Sequence, residues 1–553
     1  MKPLPLLWKS SLRYWNTARH LRPVQVYGRA LAKLTRLSPL RMPARVSLRP
    51  GWRQTRRPFL ESSNSTNGLR YTFLNQTVTF DEEVDWEYSG QSKLWRYNLH
   101  YFEYLPSLPV EMARKLMEDW VARNVDGRMD AWNPYPLSLR MINWFKWLAK
   151  HGETEASGKI LLSLYAHARY LASNLEHHLQ ANHLFENAKA LVWAGLVFDG
   201  PEANRWLRQG RELLQREVRE QVLDDGGHYE RSPMYHSLIL EGCLDLLNMS
   251  SQLLNHAPAL LGELERKTPT MVAWLKSLCH PDGEIALFND AACGIASPPP
   301  LLLGYAGAVM GESPEGIAPI DHRAASGYVT WRGSDNSYLV VDVGEVGPAH
   351  QPAHGHCDTL SFELSIEGRR IFVDSGVYAY QDPEMRKLNR ETKAHNTVRI
   401  DRIEQSEIWS SFRIARRAIP AAIHVEPRSN GLHVQGEHTG YDRLGVRHRR
   451  AYDAMPGRLE IIDAFQGSGN HLVETYFHLH PSLAVEQRSE KLAEIYHGDQ
   501  LLARFEVLDG PPFEIMSGYY CPQFGVRLQQ RVLQFSTDAR MPVEFRYLVT
   551  WTA

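Results

Sequence analysis

Near residue 322 the apolar residues change their period, and that switch limits the folds open to the chain. From about residue 80 to 310 they recur at helical spacing. In 136–148, Leu139, Ile142, Phe145 and Trp147 follow that spacing behind Pro134 and Pro136, which suit a helix start. Further helices are expected at 109–123, 155–175, 183–197, 201–219, 235–253 and 267–279, with short Gly or Asp turns between them. Helical hairpins in series without a strict repeat imply an incomplete α/α toroid or an irregular bundle. After 322 the segments YLVVDVG, TLSFELSI, RIFVDSG, NTVRI, GLHVQGE, RLEIIDAF and EFRYLVTW are rich in β-formers and bounded by Gly, Asp, Pro and Asn, which predicts an antiparallel β-sandwich. A chain of 553 residues exceeds what one core serves. The expected units are a basic segment at 1–80, a helical toroid at 81–321 and a β-sandwich at 322–553.

The formal net charge of −1 is unevenly spread: residues 1–60 hold 14 Lys and Arg and no Asp or Glu, out of 62 basic and 63 acidic residues in all. The rest of the chain is therefore net acidic, and no nucleic-acid partner is expected. The opening MKPLPLLWKSSLRYWNTARHLRPVQVYGRALAKL mixes Lys and Arg with Trp8, Leu12, Trp15 and Leu21. It can touch an anionic membrane surface peripherally, apolar side down, or pack its aromatics on the acidic body, and packing is favoured. It has no long apolar core followed by a small-residue cleavage site, and no run of the chain is long and apolar enough to cross a bilayer. On sequence alone the chain reads as cytoplasmic. Five cysteines without paired spacing imply no disulfide framework. The 15 Trp and 24 Tyr suit sugar rings or helix packing equally.

Three stretches concentrate polar residues. In AHGHCDTLSFELSIEGRRIFVDSG and RETKAHNTVRI, three neighbouring strands deliver His356, Asp374 and His395. Two imidazoles and a carboxylate suit Zn2+ or a similar divalent ion; the alternative is three unrelated polar residues at strand ends. In QANHLFENAKALVWAGLVF, His183 and Glu186 are helical neighbours, and Asn182 is either a cap or a ligand-facing amide. In DDGGHYERSPMYHSLIL, Ser232 and Pro233 open a helix whose first turn holds Tyr235 and His236.

The blocks ANHLFE, DGGHYERSPMYH, AHGHCDTLSFEL, FVDSGVYAY and RETKAHNTV, in that order and with LWRYNLHYFEYL and NPYPLSLRMINW before them, resemble the heparinase II/III family of polysaccharide lyases. The resemblance covers roughly residues 90–480. It implies a toroid joined to a β-sandwich and cleavage of a uronic-acid polysaccharide by β-elimination. By resemblance, Tyr235 and His354 are catalytic and Asn182, His183 and Glu186 meet the substrate carboxylate. Tyr380 and Arg390 then face the cleft, with Arg140 and His236 as further substrate contacts, while His356, Asp374 and His395 hold a metal that braces the sandwich and orients His354. The family also places such a chain in the periplasm or at the membrane.

Elimination removes the proton on C5 of a 4-linked uronate and expels the oxygen on C4, so the site needs a base, an acid and a group that neutralises the carboxylate. His354, with an ordinary pKa near 6.5, suits the base, and Tyr235, near 10, suits the acid, or both steps if neighbouring cations lower its pKa. A glycoside hydrolase would instead need two carboxylates, Glu230 with Asp224 or Asp225. A non-catalytic polysaccharide-binding protein would not need tyrosine, histidine and metal together. Glu391 stands where the family's RST motif has Ser, and with the acidic body it disfavours a densely sulfated chain. An anionic bacterial exopolysaccharide, capsule or alginate-like uronan is the expected partner.

Overall fold

The computed structural model describes all residues except 1–3, 35–41, 63, 125–129, 153–156, 250–254, 312–315 and 553. Its helices are α1 Leu4–Ala18, α2 Pro23–Leu34, α3 Lys93–Tyr101, α4 Val110–Arg123, α5 Pro134–His151, α6 Gly158–Ser173, α7 Ala181–Val197, α8 Pro201–Gln221, α9 Pro233–Asn248, α10 Pro258–Ser277, α11 Pro299–Met310 and α12 Pro383–Arg390. Each helix expected from apolar spacing is present, although 155–156 and 250–253 lie outside the described residues. The expected segment 267–279 is the second half of the longer α10. The expected helices do not include α1, α2, α3, α11 or the strongly polar α12. Both predicted layers are therefore present, an incomplete α/α toroid up to Met310 followed by an antiparallel β-sandwich from Ile320 to Thr550.

Helix α7 is the inner staff of the toroid. Apart from His183 its residues are buried, because α5, α6, α8 and α9 surround it and its second half, from Ala190 on, is apolar on all sides. Close packing with α8 depends on two glycines: a Cβ on Gly195 would lie 2.5 Å from the Cβ of Leu207, and one on Gly210 would lie 2.8 Å from the Val192 nitrogen. Trp95, Trp120, Trp132, Trp144, Trp193 and Trp274 are fully buried. Much of the aromatic excess therefore packs helices. The same core takes Trp52, Tyr71, Phe73, Val78 and Phe80, so the second half of the expected basic segment 1–80 belongs to the toroid. Arg70–Phe73 and Gln76–Thr79 form a small hairpin there. Among the described residues, no helix is long and apolar enough to cross a membrane.

The sandwich encloses a second core between an eight-stranded antiparallel sheet and sheets of five and four strands. Its strand Phe362–Ile366 is buried on both faces. Phe362, Leu364 and Ile366 enter the sandwich core, while Glu363 and Ser365 face the segment that leaves the toroid. There His280 bonds the Glu363 carboxylate at 2.6 Å and the Ser365 hydroxyl at 2.7 Å, and Glu363 accepts from the Leu287 amide at 3.2 Å. Buried polar atoms need partners, and the second domain supplies them. This seam carries the chain through Asn289 and Asp290 to the site.

Candidate active site

Tyr235 is set at the start of α9 by its sequence. The Ser232 hydroxyl accepts from the Tyr235 amide at 3.3 Å, and Pro233 supplies the first helical residue. From the sandwich side, the loop before Phe362 brings His354 against it, with ring centroids 4.1 Å apart. The Tyr235 hydroxyl is 3.1 Å from that of Tyr380. Burial, then the neighbouring Tyr380 and Asp290, push the Tyr235 hydroxyl well above its ordinary value, so it keeps its proton.

Asp290, a residue that no sequence motif marked, organises this corner. It is fully buried and takes both prongs of the Arg386 guanidinium, with one contact at 2.8 Å. Its Oδ2 lies 2.7 Å from His354 Nδ1 and its Oδ1 lies 2.8 Å from His356 Nε2. Burial pushes the carboxyl up, but Arg386 and the two histidines outweigh it and hold it well below the usual range. An acceptor-only carboxylate fixes the tautomer of each ring. His354 donates from Nδ1 and turns the lone pair of Nε2 toward Glu230, 3.9 Å away. His356 donates from Nε2 and keeps its Nδ1 lone pair.

The same logic shapes the metal candidates. His395 donates from Nδ1 to Asp374 Oδ2 at 2.6 Å, which leaves Nε2. His356 Nδ1 and His395 Nε2 are buried without a hydrogen-bond partner. His356, Asp358 and His395 form a group, among the described residues, in which one possible ligand atom from each lies within 4.8 Å of the others. A divalent ion fits this donor set, since it would satisfy two buried imidazole nitrogens. The structure differs from the expected set of His356, Asp374 and His395 in placing Asp358 in the group and Asp374 on the far nitrogen of His395. Asp374 thus orients a ligand. Burial raises its carboxyl to about 6 and raises that of Asp358.

On the toroid side, Asn182 sits in the first turn of α7, behind Gln180 as the cap residue, so its amide is not used for capping. It donates to Glu230 at 3.2 Å. Burial raises the Glu230 carboxyl. His183 Nδ1 lies 3.2 Å from Glu176, and its ring meets that of Tyr135 at a tilt with centroids 4.5 Å apart. Burial opposes its charge, but Glu176 raises its pKa and favours the imidazolium.

Four expected substrate contacts are placed otherwise. Glu186 is paired with Lys189 at 2.7 Å beside a separate cavity of 780 Å³. Arg140 is fully buried over the Trp120 ring at 3.9 Å and donates to the Ala131 carbonyl, so it supports the toroid core. His236 is buried against Trp274 and bonds the Met271 carbonyl at 3.0 Å, because one residue along α9 from Tyr235 is about 100° round the helix. Arg390 is buried and donates to the carbonyls of Gly355, Ser410 and Ser411, so it holds the loop of His354 to the hairpin above it. That hairpin, Ile408–Trp409 with Arg413–Ile414, lays Phe412 5.2 Å from the Tyr380 ring and 6.2 Å from His354.

The sequence matches the family described as heparinase II/III N-terminus over residues 59–297 and heparinase II/III-like, C-terminal, over 318–548. It is 24% identical over 492 residues to a heparin-sulfate lyase of Bacteroides stercoris, spanning 76% of this chain and 70% of that one. It is 25% identical over 429 residues to FtsZ-localized protein C of Caulobacter vibrioides, spanning 71% and 70%. The crystal structure of heparinase III shares the fold with a TM-score of 0.67 at 18% identity, covering 94% of this chain and 88% of that one. With both halves matched in order, the chain belongs to the heparinase II/III-like family.

Proposed function

We propose that the chain is a polysaccharide lyase that cleaves a uronic-acid polysaccharide by β-elimination, leaving an unsaturated uronate at the new non-reducing end. The observation that carries this reading is the pairing of a proton-holding Tyr235 with a His354 whose Nε2 lone pair is turned into the same corner by Asp290. His354 Nε2 takes the proton from C5, the freed electron pair forms the C4–C5 double bond, and the C4–O bond breaks as the Tyr235 hydroxyl gives its proton to the leaving oxygen. Asn182 and the imidazolium of His183 hold the substrate carboxylate, where charge grows in the transition state. Tyr380, bonded to Tyr235, positions the phenol.

A Zn2+ or similar ion held by His356, His395 and Asp358, with Asp374 behind His395, would brace the loop that carries His354. The chain's own residues carry the proton transfers. The heparin-sulfate lyase relatives support an anionic polymer, and the net acidic body supports a uronan of modest charge density, such as a bacterial exopolysaccharide or capsule, over a densely sulfated one.

The hydrolase reading loses its second carboxylate. The Asp224 side chain is fully exposed beside Lys267, and Asp225 is committed to the amide and hydroxyl of Ser326. The test is incubation of the protein with alginate, unsulfated heparosan, hyaluronan and heparin, with ultraviolet absorbance of the unsaturated product as readout. Absorbance growth on a uronan is expected; new reducing ends without absorbance would mean hydrolysis.

A further inference from the structure

We infer that α1 and α2 form an end wall of the substrate cleft, and that the cavity behind this wall is a subsite for the terminal sugars of an acidic chain, so that bonds are cut from chain ends. The cutting pattern rests on the lyase reading above; the binding site does not. Helix α1 lies on the hairpin that roofs His354. Arg13 donates to Glu407 at 2.8 Å, Trp409 donates its indole N–H to the Thr17 hydroxyl at 3.1 Å, and the Tyr14 ring meets Trp409 edge-on at 5.3 Å. Helix α2 then crosses to the toroid. Arg22 pairs with Glu220, Gln25 is buried and donates to the His350 carbonyl at 3.2 Å, and Gly28 sits so close to the 174–180 loop that a Cβ there would be 3.1 Å from that of His178. The strap is therefore tied to the sandwich at one end and to the toroid at the other. This packing is the arrangement favoured for the basic segment, although Leu12 and Trp15 remain exposed.

Between α2 and the toroid lies a cavity of 1040 Å³, lined by Tyr27, Gly28, Lys93, Tyr97, His178 and His183 among others. Small-molecule sites run to about 300–1,000 Å³, so this one has room for more than one sugar. The cavity meets the corner where the bond breaks through His183, whose charge and that of Glu230 act on one another, Glu230 lying 3.9 Å from His354 Nε2. The lining matches an acidic sugar: tyrosine faces for the rings, an imidazolium, and the Lys93 ammonium 5.1 Å from the centre of the Tyr97 ring. Glu176, Glu217 and Glu220 line it too and offset Arg22, Lys93 and Arg216, so the near-balanced wall suits a chain with one carboxylate per unit better than one carrying several sulfates. With α2 seated on His178, a polymer entering past His183 meets a wall.

Two measurements on the full chain test this. In the first, alginate and unsulfated heparosan are digested while viscosity and unsaturated product are followed together. The wild type should release short oligosaccharides from the outset with little loss of viscosity. Arg22→Glu, which sets two carboxylates against each other at the strap's tie, should lose several-fold more viscosity per bond cut, and Arg22→Glu with Glu220→Arg should restore the wild-type pattern. Early viscosity loss in the wild type, or an unchanged pattern in Arg22→Glu after trypsin shows the strap released, would overturn the end wall.

The second measurement needs no turnover: calorimetric binding of a saturated mannuronate or glucuronate tetrasaccharide to Tyr235→Phe protein. Adding Tyr97→Ala should weaken binding about tenfold, a loss of about 1.4 kcal/mol. Binding that depends on Tyr97, with no unsaturated product from any polymer, would keep the subsite and sink the lyase reading. Unsaturated product from the wild type, with tetrasaccharide binding absent or indifferent to Tyr97→Ala, would sink the subsite and keep the lyase.

Discussion

Asp290 and Asp463 are each buried against a two-pronged arginine and a histidine, yet their relays end differently. In the sandwich, Asp463 takes Arg450 at 2.7 and 2.8 Å and His448 Nε2 at 2.7 Å. The chain continues from His448 Nδ1 to His438 Nε2 at 3.1 Å, and His438 Nδ1 accepts from the Gly440 amide at 3.0 Å. Every ring nitrogen in it has a partner. Asp290 takes Arg386 and two histidines in the same manner, but His354 Nε2 and His356 Nδ1 point on, one into the cleft and one into the metal-ligand group. A buried Asp–Arg–His cluster is thus a structural brace when its last nitrogen meets the backbone, and a means of presenting a base when that nitrogen is left to a substrate or an ion.

The comparison breaks most sharply at Asp290. Asp290→Asn leaves Arg386 buried and uncompensated, at a cost of about 3–5 kcal/mol. It also releases the tautomer of His354, so turnover should fall by about 10²–10⁴-fold, the range of a general base. Chemical denaturation and initial rates would show both losses; normal turnover would remove Asp290 from the base's support.

Asp463→Asn should lose comparable stability without touching kcat where the protein remains folded. Burial pushes the Asp463 carboxyl up, but Arg450 and His448 hold it at about 2, against about 3.9 in an unfolded chain. A depressed carboxyl contributes stability that is present above the unfolded value and lost as pH falls through about 2. The variant's stability should therefore fall less steeply with acid below pH about 4, and an unchanged acid limb would contradict the pairing.

His395→Ala sharpens the other open end. Protein purified without added metal should carry less divalent ion than the wild type by elemental analysis, with a lower Tm, and equal metal content in the two would refute the ligand set.

The two-layer architecture was legible because amphipathic period reports burial directly: the expected helices lie within or close to α4–α10, and the expected strands lie in the sandwich. Helix α3 escaped because it is short and polar on average, and α12 because its sequence PEMRKLNR has almost no apolar stripe to read. At the site, the Ser232–Pro233 start put Tyr235 in the first turn of a helix while only the family resemblance suggested its role, and the histidines stood out by their clustering. Asp290 and Arg386 did not. One lies in the irregular segment FNDAACG and the other in a polar insert, and no spacing links residues 96 apart. Arg140 and His236 show the converse error, since proximity in sequence to a marked residue does not place a helical side chain on the same face.

The most direct test of the account is the rate of unsaturated-product formation by Tyr235→Phe on the polymer that the wild type cleaves. Removing one oxygen keeps the ring against His354 but deletes the proton donor, so kcat should fall by about 10²–10⁴-fold with KM little changed. Retention of most of the wild-type rate, with Glu230→Gln inactive instead, would contradict it.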